Sequence, residues 1–458
     1  MPRSVSRPVR ARTLLFAFAF AVMADPVSSI AYAIEAALRA LHGHLGLLLV
    51  TMALVLAIVV LVKVNYDQLI RRFPEGGGAA AAAGSAFGEG WAFVPLGALI
   101  VDFVLTISIS VAAASSAVIA YFPSLDRWRV PIALALLVAV AGITWFGHVG
   151  RTVFAAMTIG FVVAAVPVIA LGFLAPHGDG GAVVQGTGDG LGVLTVLLAF
   201  PVAMALATGI EAPASAIAQL GQLDDRQRER FGHATLALTV LITAVLTMSL
   251  AGLAVRLHVG IPEEGSTLIA DVAKAASGQG AWFGLFQLAS SLLLLAAASS
   301  SFQAGPGLLK ALSRHRRPNG EEVGILAAAL GRTNRHHTPY WSVLVYLTIA
   351  AGVVIASGGR DQALILYYAV SVFVSFLAGL VAMVRFSHRD GDARHLWINL
   401  LGTVVVTFTI LVNLRRGYPI VSLAVSLIVA LGFHRLWVRR GRPRGIATAE
   451  LEAEAELG

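Results

Sequence analysis

Three carboxylates sit inside apolar stretches long enough to cross a bilayer: Asp25, Asp102 and Glu211. A charged group at membrane depth costs roughly 2.5–3.5 kcal/mol on insertion scales, so it must be paired or housed in a cavity. Around the first, the chain reads Met23-Ala24-Asp25-Pro26-Val27-Ser28-Ser29-Ile30-Ala31-Tyr32-Ala33. Proline removes a backbone donor and clashes with the preceding turn, so the helix is expected to break there. The backbone of Ala24, Pro26, Val27 and Ser28 should then be unwound and face protein or water rather than lipid. Asp as N-cap with Pro in the first turn is also good chemistry for starting a helix.

A second interruption answers the first. Ala207-Thr208-Gly209-Ile210-Glu211-Ala212-Pro213 again joins an acid, a glycine and a proline in mid-span, with Gly209 and Ile210 expected to unwind. Asp102, Thr106 and Ser110 fall at i, i+4 and i+8 and share one helix face. Either hydroxyl alone could simply bond its own backbone; with Asp102 heading the stripe, a cavity-lining face is favoured. Thr208 and Glu211, three apart, also share a face, and Tyr32 lies two turns beyond Asp25. Tyr367 and Tyr368 are placed to close such a site.

Carboxylates, hydroxyls and carbonyls freed at a helix break are the ligands a hard monovalent cation prefers. Three ionised acids together would repel, so at least one of Asp25, Asp102 and Glu211 should hold a proton near neutral pH. That proton is a natural coupling ion.

These residues need membrane helices to carry them, and the chain supplies them. Its 458 residues are 57% hydrophobic and only 13% charged, with mean hydropathy +0.81. Twelve spans are expected at about 12–40, 45–64, 91–122, 129–148, 152–175, 190–219, 232–258, 281–307, 340–357, 362–386, 396–414 and 418–438. Of the 33 Lys and Arg, eight fall outside if the N-terminus lies inside: Arg39, Arg127, Arg129, Arg256, Lys274, Arg360, Arg415 and Arg416. That bias places both termini in the cytoplasm. A basic start with the run Leu14 to Val22 imitates a cleavable signal peptide, but the apolar run continues past the supposed cleavage point. Arg and Ala usage points to a bacterial inner membrane.

Spans one and six are five apart and enter from opposite sides. This is the pattern of an inverted-repeat transporter with a central site, the repeats covering 12–175 and 190–386 of one transmembrane domain, with helices at 396–438 and a cytoplasmic tail at 439–458. Gly186 to Gly192 lacks the strand context of a nucleotide loop and reads as a connector. The stretch 263–276 reads as an interfacial helix, and the inside loop 308–339 as basic and solvated. The acids Glu450, Glu452, Glu454 and Glu456 read as a solvated or disordered end. With no cysteine and no nucleophile–base pair, no enzyme and no cofactor are expected, and the charge of +8 is a topology signal rather than nucleic-acid affinity.

From about Phe16 to Trp437 the chain resembles the amino acid–polyamine–organocation superfamily, and within it the potassium importers of the KimA and KUP group. Asp25 to Ala33 is similar to that group's Asp-Ala-Leu-Ser-Ser-Val-Ala-Tyr-Ala. Phe73-Pro74-Glu75-Gly76-Gly77-Gly78-Ala79 resembles its Tyr-Pro-x-Gly-Gly-Gly-Ala-Tyr, an inside re-entrant feature. Asp102-Phe103-Val104-Leu105-Thr106 resembles Asp-Tyr-x-Leu-Thr, Thr208 to Ala212 resembles Thr-Gly-x-Glu-Ala, and Tyr368 to Phe373 resembles Tyr-Ala-Ile-Gly-Val-Phe. The resemblance implies an all-α fold of five spans repeated inverted, with helices one and six unwound. It also implies that Asp25, Tyr32, Asp102, Thr106, Ser110, Thr208, Glu211 and Tyr368 line a potassium and proton pathway. The chain differs at Ser299-Ser300-Ser301-Phe302-Gln303, at Phe103 and after Arg444, where the group's soluble dimerising domain does not fit.

The expected function is proton-coupled potassium uptake by alternating access. An amino acid or amine permease is the alternative, although Asp-Pro-Val-Ser-Ser should repel a substrate carboxylate. A channel would want repeated polar rings, and a sensor an attached output domain; neither pattern is seen.

Overall fold

The computed structural model describes residues 8–146, 151–182, 191–220, 223–313, 324–449 and 452–453. The described helices run α1 Pro8–Val22, α2 Ala24–Ser28, α3 Ile30–Ala40, α4 Leu45–Arg72, α5 Gly78–Phe87, α6 Phe93–Tyr121, α7 Arg129–Trp145, α8 Arg151–Leu174 and α9 Leu191–Ala203. They continue as α10 Ala212–Ala216, α11 Asp225–Arg256, α12 Leu268–Ser277, α13 Ala281–Ser313, α14 Tyr340–Ala356, α15 Asp361–Asp390, α16 Ala393–Leu414 and α17 Tyr418–Arg439. Among the described residues, ten helical stretches are long and apolar enough to cross a membrane. The first span is divided into α1–α3, and α14, at 17 residues, is a shorter apolar helix.

The core is helix on helix. α6 runs through the middle, flanked by α13 and α15; α11 packs along α4, and α16 and α17 lie against α15 and α6. Small residues set these approaches, as expected where lipid supplies no hydrophobic drive between helices. A Cβ at Gly97 would lie 2.7 Å from the Ser426 carbonyl oxygen on α17, and one at Gly402 would lie 2.7 Å from Leu380. A buried amide cluster joins α4 to α16: Asn65 donates to Asn399 at 3.0 Å, and Asn399 donates to Gln68 at 2.8 Å.

Several expected boundaries move, each for a local reason. α4 continues eight residues past position 64, because Lys63 pairs with Asp67 and Arg72 with Asp390, so the charged turns are stabilised beyond the apolar run. The Gly76-Gly77-Gly78 turn takes φ of +108°, +94° and +48°, the left-handed region glycine tolerates, and leads into α5. The helix expected at 263–276 begins only at Leu268, capped by Thr267, because Pro262 and the left-handed Gly265 precede it. It buries its apolar face on α3, α8 and α13. After Arg444, Ile446, Ala449 and Ala453 are buried. The loop pattern at Gly186, part of the basic loop (314–323) and the acids Glu450, Glu454 and Glu456 lie outside the described residues.

Candidate functional site

Span six unwinds as expected. α9 tightens into a 3-10 turn at Met204–Ala207, Thr208 is extended at ψ 144°, and Gly209 takes φ +76° before α10 resumes. The turn bonds here are long, Thr208 N–H to Ala205 and Ile210 N–H to Ala207 both at 3.4 Å. Span one differs from expectation. Ala24, Pro26, Val27 and Ser28 stay helical in α2, with kinks at Met23 and Ser29. The reason is position: Pro26 falls in the first turn of α2, where the amide it lacks has no intrahelical partner to lose. The bond from Val27 N–H to the Met23 carbonyl, 3.0 Å, carries the helix through the kink.

The two interruptions touch. A Cβ on Gly209 would sit 2.6 Å from Pro26 Cδ and 2.9 Å from Asp25 Cγ, so only glycine lets the broken strand of span six lie against the span-one kink. Ser29, which the sequence reading did not single out, links them: its hydroxyl is 2.6 Å from the Pro26 carbonyl and 3.3 Å from that of Leu206. Ser28 donates to the Asp25 carbonyl at 2.7 Å. The adjacent serines after Asp-Pro were the available signal.

The three acids come together. Asp102 lies within electrostatic reach of both Glu211 and Asp25. The Oδ1 atoms of Asp25 and Asp102 are enclosed without a hydrogen-bond partner among the described residues. Tyr368 shares a 2.6 Å hydrogen bond with Thr106. The Tyr32 hydroxyl faces Thr208 and Tyr368, while Thr208 Oγ1 donates to the Ala205 carbonyl at 2.8 Å. Ser110, one turn beyond Thr106, is buried with its Oγ unpartnered among the described residues. Tyr367 turns away, its ring edge-on to Tyr418 at 5.8 Å. On α13, Ser299 Oγ and Gln303 Nε2 are likewise buried without partners among the described residues, where the sequence departs from the importer pattern.

Toward the end opposite the termini, two buried acids sit above this cluster. Glu35 accepts from Arg39 at 2.8 Å and from the Leu268 N–H at 3.0 Å. Asp361 accepts from Ser116 at 2.8 Å, and Arg129 also donates to Ser116, at 2.8 Å. They line a cavity of about 390 Å³ with Asp126, Glu263 and Arg360. Asp361 opens α15, where a charge is ordinary and gives no sequence signal, whereas Glu35 stands in mid-α3 within the expected span 12–40 and was passed over. His336 and His337 form no metal cluster; among the described residues no group of three potential ligands occurs anywhere.

A helical membrane bundle with two apposed helix interruptions and a buried, oxygen-rich side-chain cluster defines a secondary transporter. Residues 14–432 match the family described as amino acid permease, and the chain belongs to that family. It is 28% identical over 383 residues to the potassium transporter KimA of Bacillus subtilis, covering 78% of this chain and 59% of that one. The chain thus spans less than two thirds of that relative's length. Mutant forms of the manganese transporter of Eremococcus coleocola superpose with TM-score 0.47 at 13–14% identity, over 95% of this chain and 96% of theirs.

Proposed function

We propose that this protein imports potassium together with protons by alternating access. Its twelve spans form a five-plus-five inverted repeat with two added helices, and both termini lie in the cytoplasm of a bacterium. The observation that carries the reading is the enclosed cluster of Asp25, Asp102 and Glu211 among hydroxyls, with carboxylate oxygens of Asp25 and Asp102 left unpartnered among the described residues. Like charges this close cannot all stay ionised in a low-dielectric site, so a cation and a proton are the species that neutralise it. A cation takes the unmatched oxygens and a proton neutralises a remaining acid, so the site loaded with both carries the least net charge and can turn toward the cytoplasm to release them. Likeness to a protein named as a potassium transporter supports the choice of cation.

The alternative, an amino acid or amine permease, is favoured by the family description and by the backbone opened at Thr208 to Ile210. An amine group would suit the acids, whereas the carboxylate of an amino acid would meet Asp25. The deciding experiment is growth of a potassium-uptake-deficient bacterium at low potassium with wild-type protein, Asp102→Asn or Glu211→Gln. Rescue by wild type and not by the variants, with matching rubidium flux, is expected. Absence of rescue and flux, with accumulation of a labelled amino acid, would overturn the potassium reading.

A further inference from the structure

The segment after α17 is held in place at several points. Trp437 Nε1 donates to the Pro443 carbonyl at 2.8 Å, which turns the chain back. Glu89, just before α6, accepts from the Gly445 N–H at 2.7 Å and from the Ile446 N–H at 3.3 Å, so one carboxylate caps the next turn. Ile446, Ala449 and Ala453 then bury themselves in one core with Ala80 of α5, Ala92, Phe93, and Leu308, Leu309 and Leu312 of α13. α5 meets the segment through a glycine: a Cβ at Gly84 would overlap Ala447. α13 does the same, and a Cβ at Gly307 would lie 3.7 Å from Ala453 Cβ.

The two helices clasped here each pack against an element that carries a residue of the central cluster. α5 packs against α15, which carries Tyr368, and α13 packs against α2, which carries Asp25. Separation of α5 from α13 on this face is therefore opposed by a shared occupant with a buried apolar stripe. We propose that residues 443–449, together with Ala453, are an autoinhibitory latch: seated, they hold the terminal face closed beneath the central cluster, and their release permits it to open.

The chain has no native cysteine, so a paired Gly307→Cys/Ala453→Cys variant can be cross-linked alone, and its Cβ separation suits a disulfide. Oxidation is expected to cut rubidium uptake into proteoliposomes at least tenfold, with recovery on reduction and no change in either single variant. Gly84→Ala, which displaces Ala447, is expected to raise uptake several-fold and to speed amide hydrogen exchange in α5. The exchange measurement needs no substrate, so it separates failure of the latch from failure of the potassium reading. Oxidised protein that transports at the reduced rate, or α5 exchange in Gly84→Ala equal to wild type, overturns the proposal.

Discussion

Gly209→Ala tests whether apposition of the two interruptions is what the transporter works with. Gly209 has φ +76°, where a Cβ costs about 1–2 kcal/mol. The same Cβ would lie 2.6 Å from Pro26 Cδ and 2.9 Å from both Asp25 Cγ and Pro26 N, overpacking worth roughly 1–3 kcal/mol. Reduced freedom of the unfolded chain returns roughly 0.4–1 kcal/mol, leaving a net strain of about 2–4 kcal/mol. A state in which span six moves off span one escapes the overlap. At 1.4 kcal/mol per tenfold, the strain shifts occupancy away from the close-packed state by about 30- to 700-fold. The assay is rubidium uptake beside thermal unfolding followed by tryptophan fluorescence. Gly97→Ala is the control, since its Cβ would meet Ser426 and Ala430 of α17 at 2.7–2.9 Å, far along the chain from either interruption. Both variants should lose thermal midpoint, but only Gly209→Ala should lose apparent substrate affinity. Wild-type affinity and midpoint in Gly209→Ala would refute the reasoning.

Three further outcomes follow from single contacts. Thr106→Val removes the 2.6 Å bond to Tyr368 and leaves a buried phenol with one partner fewer; a loss of about 1–3 kcal/mol in unfolding free energy and reduced uptake are expected, measured by denaturation and flux. Glu35→Ala strands the buried Leu268 N–H and unpairs Arg39, so it should lower stability by a similar amount of roughly 1–3 kcal/mol, and hydrogen exchange should localise the loosening to α12. Asp271, on α12, has its carboxyl pushed above the usual range by burial, so the folded state disfavours its charge. Its stabilising protonated form is present below the unfolded value near 3.8 and is lost as pH rises through the folded one. Asp271→Asn should therefore raise the thermal midpoint at pH 7, and the gain should vanish at pH 4 and below in a midpoint-versus-pH series.

The central acids were legible because their surroundings are apolar: a carboxylate in a run such as Leu99 to Ile107 has no bland explanation. The face shared by Asp102, Thr106 and Ser110 followed from helical spacing alone. Asp361 was not legible, because a charge at a helix end is ordinary and only the fold buries it, at 6% exposure; Glu35, at 2% exposure in mid-α3, stood within the expected span 12–40 and could have been singled out. Helix α4 was read short because the chain turns charged at Lys63, whereas ion pairing carries the helix on to Arg72. The burial of Ile446, Ala449 and Ala453 was not legible because the neighbouring glutamates dominate the composition. Ile446, Ala449 and Ala453 nevertheless stand at i, i+3 and i+7, a one-sided apolar stripe that was available to be noticed.

Asp-Pro and Thr-Gly look like equivalent breaks, yet they do different physical work. Proline in the first turn of α2 bends span one while Val27 N–H and Ser29 N–H still reach the Met23 and Asp25 carbonyls at 3.0 and 3.2 Å. In span six the left-handed Gly209 leaves turn bonds of 3.4 Å, beyond the range of a good N–H···O bond. Span one therefore offers the site a side-chain carboxylate on a stiff, bent helix, and span six offers backbone on a compliant one. A rigid ligand facing a yielding one suits the cation site proposed above, and under that proposal span six is expected to be the element whose geometry changes when the site empties.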